Sequence, residues 1–271
     1  MDICRTGSKS AMAKMFVIGV LLAGICLLGC NNTVFAQKTG WSMNKKGRVF
    51  YYDEEGNKTT GNNVLIGEKY YCFDKKGRQR VGWVRYRGNY YYYNIAPKKK
   101  GYLVCKKTVN GIKINSKGIA VSNKDKARLL AAANEIVFSI TNFKMNQAKK
   151  NKACFMYVRD KLDWRNLTGF RSDLKKWDQH YAGYGIYKGY GDCYTGGCEF
   201  AYLAAASGAK KVYAESSGGH GWAEINGRYF DPNCSWSFKN VGKYYNVPAS
   251  LSGRGGRPSW ASHKSYVKRV D

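Results

Sequence analysis

The chain has 271 residues, with 46 lysines and arginines against 18 acidic residues, and its net charge is +28. This length favours two modest domains, and such a positive excess drives association with polyanions. Nine irregularly spaced cysteines are too few for a disulfide scaffold, and the six that follow the first 36 residues show no metal-ligand spacing. We therefore expect no metal and no cofactor.

Residues 1–36 have the organisation of an export signal. Basic residues between Arg5 and Lys14 precede an apolar run from Met15 to Leu28, which is too short to span a bilayer comfortably. We expect cleavage near Ala36. Lipidation at Cys30 is an alternative, because the residues before it resemble a bacterial lipobox, and an uncleaved anchor is a third. The predicted location is secreted or at the cell surface.

Residues 37–123 are repetitive. An aromatic or apolar residue followed by Asp or Asn recurs about every 20 residues, at Tyr52-Asp53, Phe73-Asp74, Tyr93-Asn94 and Ile114-Asn115. In three of these units a glycine stands three residues after the acid or amide. Each unit predicts a β-hairpin, and since a lone hairpin cannot bury its own apolar face, the units must stack. The sequence thus predicts an N-terminal all-β solenoid of hairpin repeats.

These units, with their Gly40-Trp41 and Gly82-Trp83 pairs, resemble the cell-wall-binding repeats of the choline- and glucan-binding type. The resemblance implies binding of cell-wall polymers or glycans between aromatic side chains of adjacent hairpins, through stacking or cation–π contact. The side chains it implicates are Trp41, Tyr52, Tyr71, Trp83 and Tyr92. The alternative is that these rings only form the core of the stack.

Helical patterns begin at residue 124, where we place the start of a second domain covering 124–271. An apolar stripe predicts a helix that starts near Asn123 and reaches Ile140, and a second helix covers Asn146 to Leu162. A short helix around Asp173 to Ala182 follows. The basic tail from Ser235 is less decided and contains a loop.

Three residues of catalytic type follow in order: Cys193, His220 and Asp231. Cys193 precedes an alanine-rich run that closes on Gly208, so it should lie at a helix N-terminus, where the helix dipole favours a thiolate. His220 and Asp231 flank a predicted hairpin that turns at Asn226-Gly227. The hairpin would hold both side chains on rigid backbone, as nucleophile, base and orienting carboxylate require.

The same stretch resembles the transglutaminase-like superfamily of papain-type cysteine enzymes. Its pattern G-x-C-Y, H-x-W-x-E and D-P is matched at 191–194, 220–224 and 231–232, and Gly221 stands where the family more often has Ala. The resemblance implies a papain-like α+β fold over 124–271 and a triad of Cys193, His220 and Asp231. The whole chain is then of the α+β class.

Together these features predict a secreted, cell-wall-associated cysteine hydrolase that cleaves peptide or amide bonds of a protein or peptide substrate through a thioester. One alternative is a transglutaminase that crosslinks proteins by resolving the thioester with an amine. Another is an inactive wall- or glycan-binding protein. No nucleic-acid partner is expected, because no nucleic-acid-binding motif accompanies the positive charge.

Overall fold

The structure is a computed structural model that describes residues 39–167 and 169–271. The chain combines helices with small antiparallel sheets, which confirms the predicted mixture of helix and sheet. The finer predictions, a hairpin solenoid and a papain-like domain, stay predictions. The expected export signal and Cys30 lie outside the described residues. None of the described helices has the length and apolar character needed to cross a membrane.

The first part of the described chain consists of short antiparallel hairpins. Its strands are β1 (Gly40–Met43), β2 (Val49–Tyr52), β3 (Gly61–Ile66), β4 (Lys69–Phe73), β5 (Gln79–Arg80), β6 (Gly82–Tyr86), β7 (Asn89–Tyr93), β8 (Thr108–Val109) and β9 (Ile112–Lys113). Strands β3, β4 and β5 form one three-stranded sheet, and the others pair as β1 with β2, β6 with β7, and β8 with β9.

The recurring acid or amide has the same structural role in three of the four aligned units. The side chains of Asp53, Asp74 and Asn115 accept a hydrogen bond from the backbone N–H four residues later, at 2.7, 2.8 and 2.9 Å. Their carbonyls accept the N–H of the glycine three residues on. Asn44 makes the same pair of bonds, a further copy that the sequence alignment missed. The repeat is thus a repeated tight turn.

The second part contains six α-helices and seven short strands within the described residues. Its elements are α1 (Lys124–Ile140), α2 (Gln147–Lys161), β10 (Asp163–Trp164), α3 (Trp177–Gly183), β11 (Tyr190–Gly191), α4 (Cys193–Ser207), β12 (Val212–Ser216), β13 (Gly221–Ile225), β14 (Arg228–Phe230), α5 (Pro232–Ser237), α6 (Val241–Tyr244), β15 (Val247–Pro248) and β16 (Tyr266–Arg269). An antiparallel sheet has the order β15-β14-β13-β12-β16. The first two predicted helices are found within one residue of their expected ends, and the third begins later than expected.

Helix α4 lies at the centre of the core, and every residue from Tyr194 to Ser207 is buried. The same core cluster includes Trp83 and Tyr92 from the hairpin region. Asn134 of α1 also joins the hairpin region to the helical region. Its Nδ2 donates to the carbonyl of Val81 at 2.7 Å and to that of Trp83 at 3.0 Å. The chain segments on either side of residue 123 therefore share one core.

A second junction between the two regions surrounds Phe138 at the end of α1. The guanidinium groups of Arg48, Arg78 and Arg80 lie 5.0, 4.9 and 4.5 Å from the centre of its ring. Arg48 also donates to the carbonyl of Phe138 at 2.8 Å, and Arg80 pairs with Glu135. Cation–π contacts of this kind each contribute about 0.5–1 kcal/mol at exposed sites, so the hairpins are held to α1 by several independent contacts.

Candidate active site

Cys193 is the first residue of the buried helix α4. The side chain of Asp192 caps this helix by accepting the N–H of Thr195 at 3.1 Å, and Gly208 ends it with a left-handed φ of 107°. The thiol is partly exposed, whereas the rest of the helix is buried. Cys193 therefore lies at the positive end of the helix dipole, where the first N–H groups have no acceptor within the helix.

The hairpin of β13 and β14 carries the other two candidate residues. It turns at Asn226 and Gly227, whose φ values of 51° and 76° are those of a type I′ turn. His220 stands directly before β13 and Asp231 directly after β14, so the hairpin register brings them together. Nε2 of His220 lies 2.7 Å from Oδ2 of Asp231.

Asp231 is fully buried and has three hydrogen-bond donors. Besides His220, the indole N–H of Trp260 donates to Oδ2 at 3.0 Å and the backbone N–H of Cys234 donates to Oδ1 at 2.9 Å. Burial raises the pKa of Asp231, but the charge of His220 and these donors outweigh it, so the net pKa is lowered. The carboxylate is thus kept ionised inside the protein.

His220 is stabilised in its charged form by this carboxylate. Burial lowers the pKa of His220, whereas Asp231 and a side-chain hydrogen bond with Cys193 raise it, and the net pKa is raised far above its ordinary value. Because Nε2 is held by Asp231, Nδ1 is the ring nitrogen left to face Cys193. The arrangement can therefore hold an imidazolium next to the thiol sulfur.

Close backbone packing fixes the distance between the helix and the hairpin. A Cβ at Gly197 would lie 2.8 Å from the Cα of Trp222, and a Cβ at Gly221 would lie 2.7 Å from the Cα of Tyr194. The hydroxyl of Tyr194 also donates to the carbonyl of Gly218 at 2.8 Å, which ties the loop before His220 to helix α4. Any side chain at position 221 would therefore require Tyr194 to move.

A buried carboxylate, Glu215, lies on the strand next to β13 and pairs with an exposed lysine. Glu215 of β12 accepts the indole N–H of Trp222 at 2.7 Å and pairs with Lys264 at 3.2 Å, and Lys264 also binds Glu224 at 2.8 Å. Burial and the charge of Glu224 raise the pKa of Glu215 to about 7. The bond from Trp222 to Glu215 holds this indole ring in place, two residues after His220.

Sequence reasoning missed two residues of the site, Trp260 and Cys234. Trp260 lies in the basic tail that follows Ser235, and no local sequence pattern marks it as a partner of Asp231. Cys234 could have been found, because Asp231 and the Pro after it start a helix and place Cys234 over the capping carboxylate. Its Sγ lies 3.7 Å from Nε2 of His220.

The five aromatic residues implicated in ligand binding differ in their exposure. Tyr71, Trp83 and Tyr92 are 3%, 1% and 9% exposed, and the indole N–H of Trp83 donates a hydrogen bond within the core. Trp41 and Tyr52 keep part of their surface accessible, and Trp41 packs edge-on against Tyr71 with centroids 4.9 Å apart. The burial of three of these rings favours packing as their role. Ligand binding by this set stays a prediction.

Comparison with known proteins finds similarity to choline-binding domains of solved structure. The choline-binding domain of Spr1274 from Streptococcus pneumoniae is 26% identical, with a TM-score of 0.27, over 32% of this chain and 98% of that one. Choline-binding protein F from the same species, solved in the presence of a peptidoglycan analogue, is 28% identical with a TM-score of 0.28, over 31% of this chain and 27% of its own.

The modular Cpl-1 endolysin in complex with a peptidoglycan analogue is also similar. It is 28% identical with a TM-score of 0.21, over 31% of this chain and 24% of its own length. The chain thus spans about a quarter of this structure and of choline-binding protein F. No family model and no curated protein matches the chain.

Proposed function

We propose that the chain is a secreted or surface-attached cysteine hydrolase that associates with the cell wall and cleaves peptide or amide bonds. The observation that carries this proposal is the position of His220, whose Nε2 is held at 2.7 Å by the buried Asp231 and whose pKa is raised by Asp231 and by an interaction with Cys193. A nucleophile, a base and an orienting carboxylate in contact form the minimal arrangement for acyl transfer.

The reaction begins with the thiol proton of Cys193 on the imidazole of His220. The sulfur attacks the substrate carbonyl carbon, and we assign the backbone N–H of Cys193, at the start of α4, as a donor to the developing oxyanion. The C–N bond then breaks, and the amine leaves with a proton from His220. Water attacks the thioester while His220 accepts a proton, which releases a carboxylic acid and restores the thiol.

Asp231 orients His220 throughout this cycle without taking up a proton itself. Its two other donors, Trp260 and the N–H of Cys234, hold the carboxylate in place when the imidazole gains or loses charge. Such a preorganised carboxylate costs no reorganisation at the moment of reaction.

Wall association is proposed from the hairpin repeats and from the charge of +28. Trp41 and Tyr52 are the aromatic candidates with accessible surface, and both lie in the first hairpin. Trp41 has the larger ring and is the residue to test. We expect Trp41→Ala to reduce retention on isolated cell walls at 0.5 M salt, where charge attraction is screened. Phe238→Ala, which removes a 66% exposed ring from the second region, is the matched control and should leave retention unchanged.

The catalytic proposal is tested by alkylation of Cys193 in the full chain, with the adduct located by mass spectrometry. A free thiol has a pKa of about 8.5, and a His-paired thiolate titrates well below neutrality. Cys193 should therefore react fast at pH 6, and His220→Ala should abolish this fast reaction. His263→Ala, which removes an exposed imidazole elsewhere, should leave it intact.

Substrate turnover is then measured on peptide libraries and on isolated wall material, with Cys193→Ser as the inactive control. Release of an amine and a carboxylate supports hydrolysis, whereas incorporation of an added primary amine would replace it with transglutamination. If Cys193 reacts only above pH 8 with or without His220, the proposal fails. The inactive wall-binding protein is then the better description.

A further inference from the structure

Cys234 is a second thiol beside His220, and the proposed hydrolysis has no use for it. It lies in the first turn of α5, is 9% exposed, and its Sγ is 3.7 Å from Nε2 of His220. The thiol, the imidazole nitrogen and a carboxylate oxygen of Asp231 lie within 4.8 Å of one another. Sulfur, imidazole and carboxylate form a donor set that suits Zn²⁺.

We propose that Cys234, His220 and Asp231 form a Zn²⁺ site, and that zinc bound there blocks the reaction of Cys193. The effect on Cys193 rests on the proposed function, whereas metal binding itself does not. This is an inhibitory site on the Asp231 side of the imidazole, and Cys193 is not one of its ligands.

One of the three separations between the ligand atoms matches zinc closely, and a second is shorter than zinc requires. Tetrahedral zinc, with bonds of about 2.3 Å to sulfur and about 2.0–2.1 Å to nitrogen, places the two ligand atoms about 3.6 Å apart. Sγ of Cys234 and Nε2 of His220 are 3.7 Å apart. The same geometry separates nitrogen and carboxylate oxygen by about 3.4 Å, and the present contact is 2.7 Å. A shift of about 0.7 Å by the His220 ring would give the nitrogen–oxygen separation that zinc requires. The sulfur of Cys234 and the carboxylate oxygen, which lie within 4.8 Å of each other, would have to stand about 3.5 Å apart.

The charges of the site also balance when zinc enters. Without metal, the site holds an imidazolium, a carboxylate and a neutral thiol, which sum to zero. Zinc displaces the Nε2 proton of His220 and the thiol proton of Cys234, and both protons pass to solvent. A dication with a thiolate, a carboxylate and a neutral imidazole again sums to zero, so binding adds no net charge to the buried site.

Zinc on Nε2 changes what His220 can do for Cys193. The ring then keeps its proton on Nδ1, the nitrogen available to Cys193, but it is neutral and no longer offers the Cys193 thiolate an imidazolium as its partner. The Asp231 hydrogen bond that orients the ring is lost at the same time. Trp260 still donates to Asp231 and would hold this ligand in place, as outer partners of metal ligands commonly do.

The test uses Co²⁺ as a probe on the full chain, since cobalt bound to a thiolate gives a near-ultraviolet charge-transfer band. We expect the band in the wild type and in Cys193→Ser, its loss in Cys234→Ser and in His220→Ala, and its displacement by Zn²⁺. In parallel, Zn²⁺ should slow the alkylation of Cys193 at pH 6 to the rate of His220→Ala. Chelation should restore the rate, and Cys234→Ser should be insensitive to zinc.

Two results overturn the proposal. One is absence of the band in the wild type. The other is a band that persists in Cys234→Ser and disappears in Cys193→Ser, because the metal then sits on the proposed nucleophile. Failure of the hydrolase proposal is distinguishable, since it appears as slow alkylation without any metal and leaves the cobalt band untouched.

Discussion

Trp260→Phe removes one hydrogen bond from the buried carboxylate of Asp231. The phenyl ring keeps the stacked contact with Tyr229, whose ring centre lies 5.7 Å away, but it lacks the N–H that stands 3.0 Å from Oδ2. A hydrogen bond to a charged group contributes about 1.5–3 kcal/mol, against about 0.5–1.5 kcal/mol for a neutral pair. We therefore expect Trp260→Phe to lower the free energy of unfolding by about 1.5–3 kcal/mol for the lost hydrogen bond, and further because the smaller ring leaves a cavity.

Trp83→Phe is the matched control, because Trp83 is equally buried and its N–H donates to the neutral amide of Asn110. In urea titrations at pH 7, Trp260→Phe should cost about 1–2 kcal/mol more than Trp83→Phe. The folded pKa of Asp231 is lowered, so its stabilisation is present above the unfolded pKa and is lost as pH falls through the folded one. The excess cost should thus be constant from pH 8 to pH 5 and shrink in stronger acid.

Trp260→Phe should also lower the reactivity of the Cys193 thiol. With one donor fewer, the carboxylate of Asp231 is held less firmly in the position that orients His220. Alkylation of Cys193 at pH 6 should therefore slow in Trp260→Phe and stay unchanged in Trp83→Phe. Equal stability costs for the two variants, together with superimposable alkylation profiles, would refute the view that Trp260 positions the carboxylate.

Two further predictions concern stability. Gly82→Ala places a Cβ 2.5 Å from Oδ1 of Asn134 at a φ of 78°, whereas Gly88→Ala, at 76°, meets nothing within 4 Å. In urea titrations, both substitutions should lower the free energy of unfolding by about 1–2 kcal/mol through backbone strain. Only Gly82→Ala should lower it by about 1–3 kcal/mol more, through steric overlap with Asn134. Equal losses in the two variants would contradict this overlap. Burial raises the pKa of Glu199 to about 8, so the folded state holds a proton that the unfolded chain releases above its own lower pKa. Stability should therefore fall as pH rises from about 4.5 to 8, by up to about 1.4 kcal/mol per pH unit, and Glu199→Gln should flatten this slope; an unchanged slope would assign it to other groups.

The parts of the fold that sequence could predict are those coded by neighbouring residues. The run from Cys193 to Gly208 has a helical composition and a stop signal, so helix α4 could be predicted. The pair Asn226-Gly227 dictates a two-residue turn, so the hairpin of β13 and β14 could be predicted as well. The repeated turns at Asp53 and Asp74 likewise depend on bonds that span only four residues.

The parts that sequence could not predict depend on distant pairing. Strand β16 pairs with β12, about fifty residues earlier, and its short, half-exposed sequence has no pattern of its own. The bond from Trp260 to Asp231 depends on how that tail folds back. Trp41 and Trp83 follow glycine in the same local motif, yet only Trp83 is fully buried, because helix α1 happens to cover it.

The core shared by Trp83 and helix α4 has a mechanical consequence. In enzymes with a flexible linker, a bound anchor lets the catalytic unit sweep through a sphere around the attachment point. Here Asn134 and the arginines around Phe138 fix the first hairpins to helix α1, so the sulfur of Cys193 stands at a set distance and direction from those hairpins. If the proposed hydrolase binds the wall through them, this rigid connection would select the bonds it cleaves by their position on the wall as well as by their chemistry.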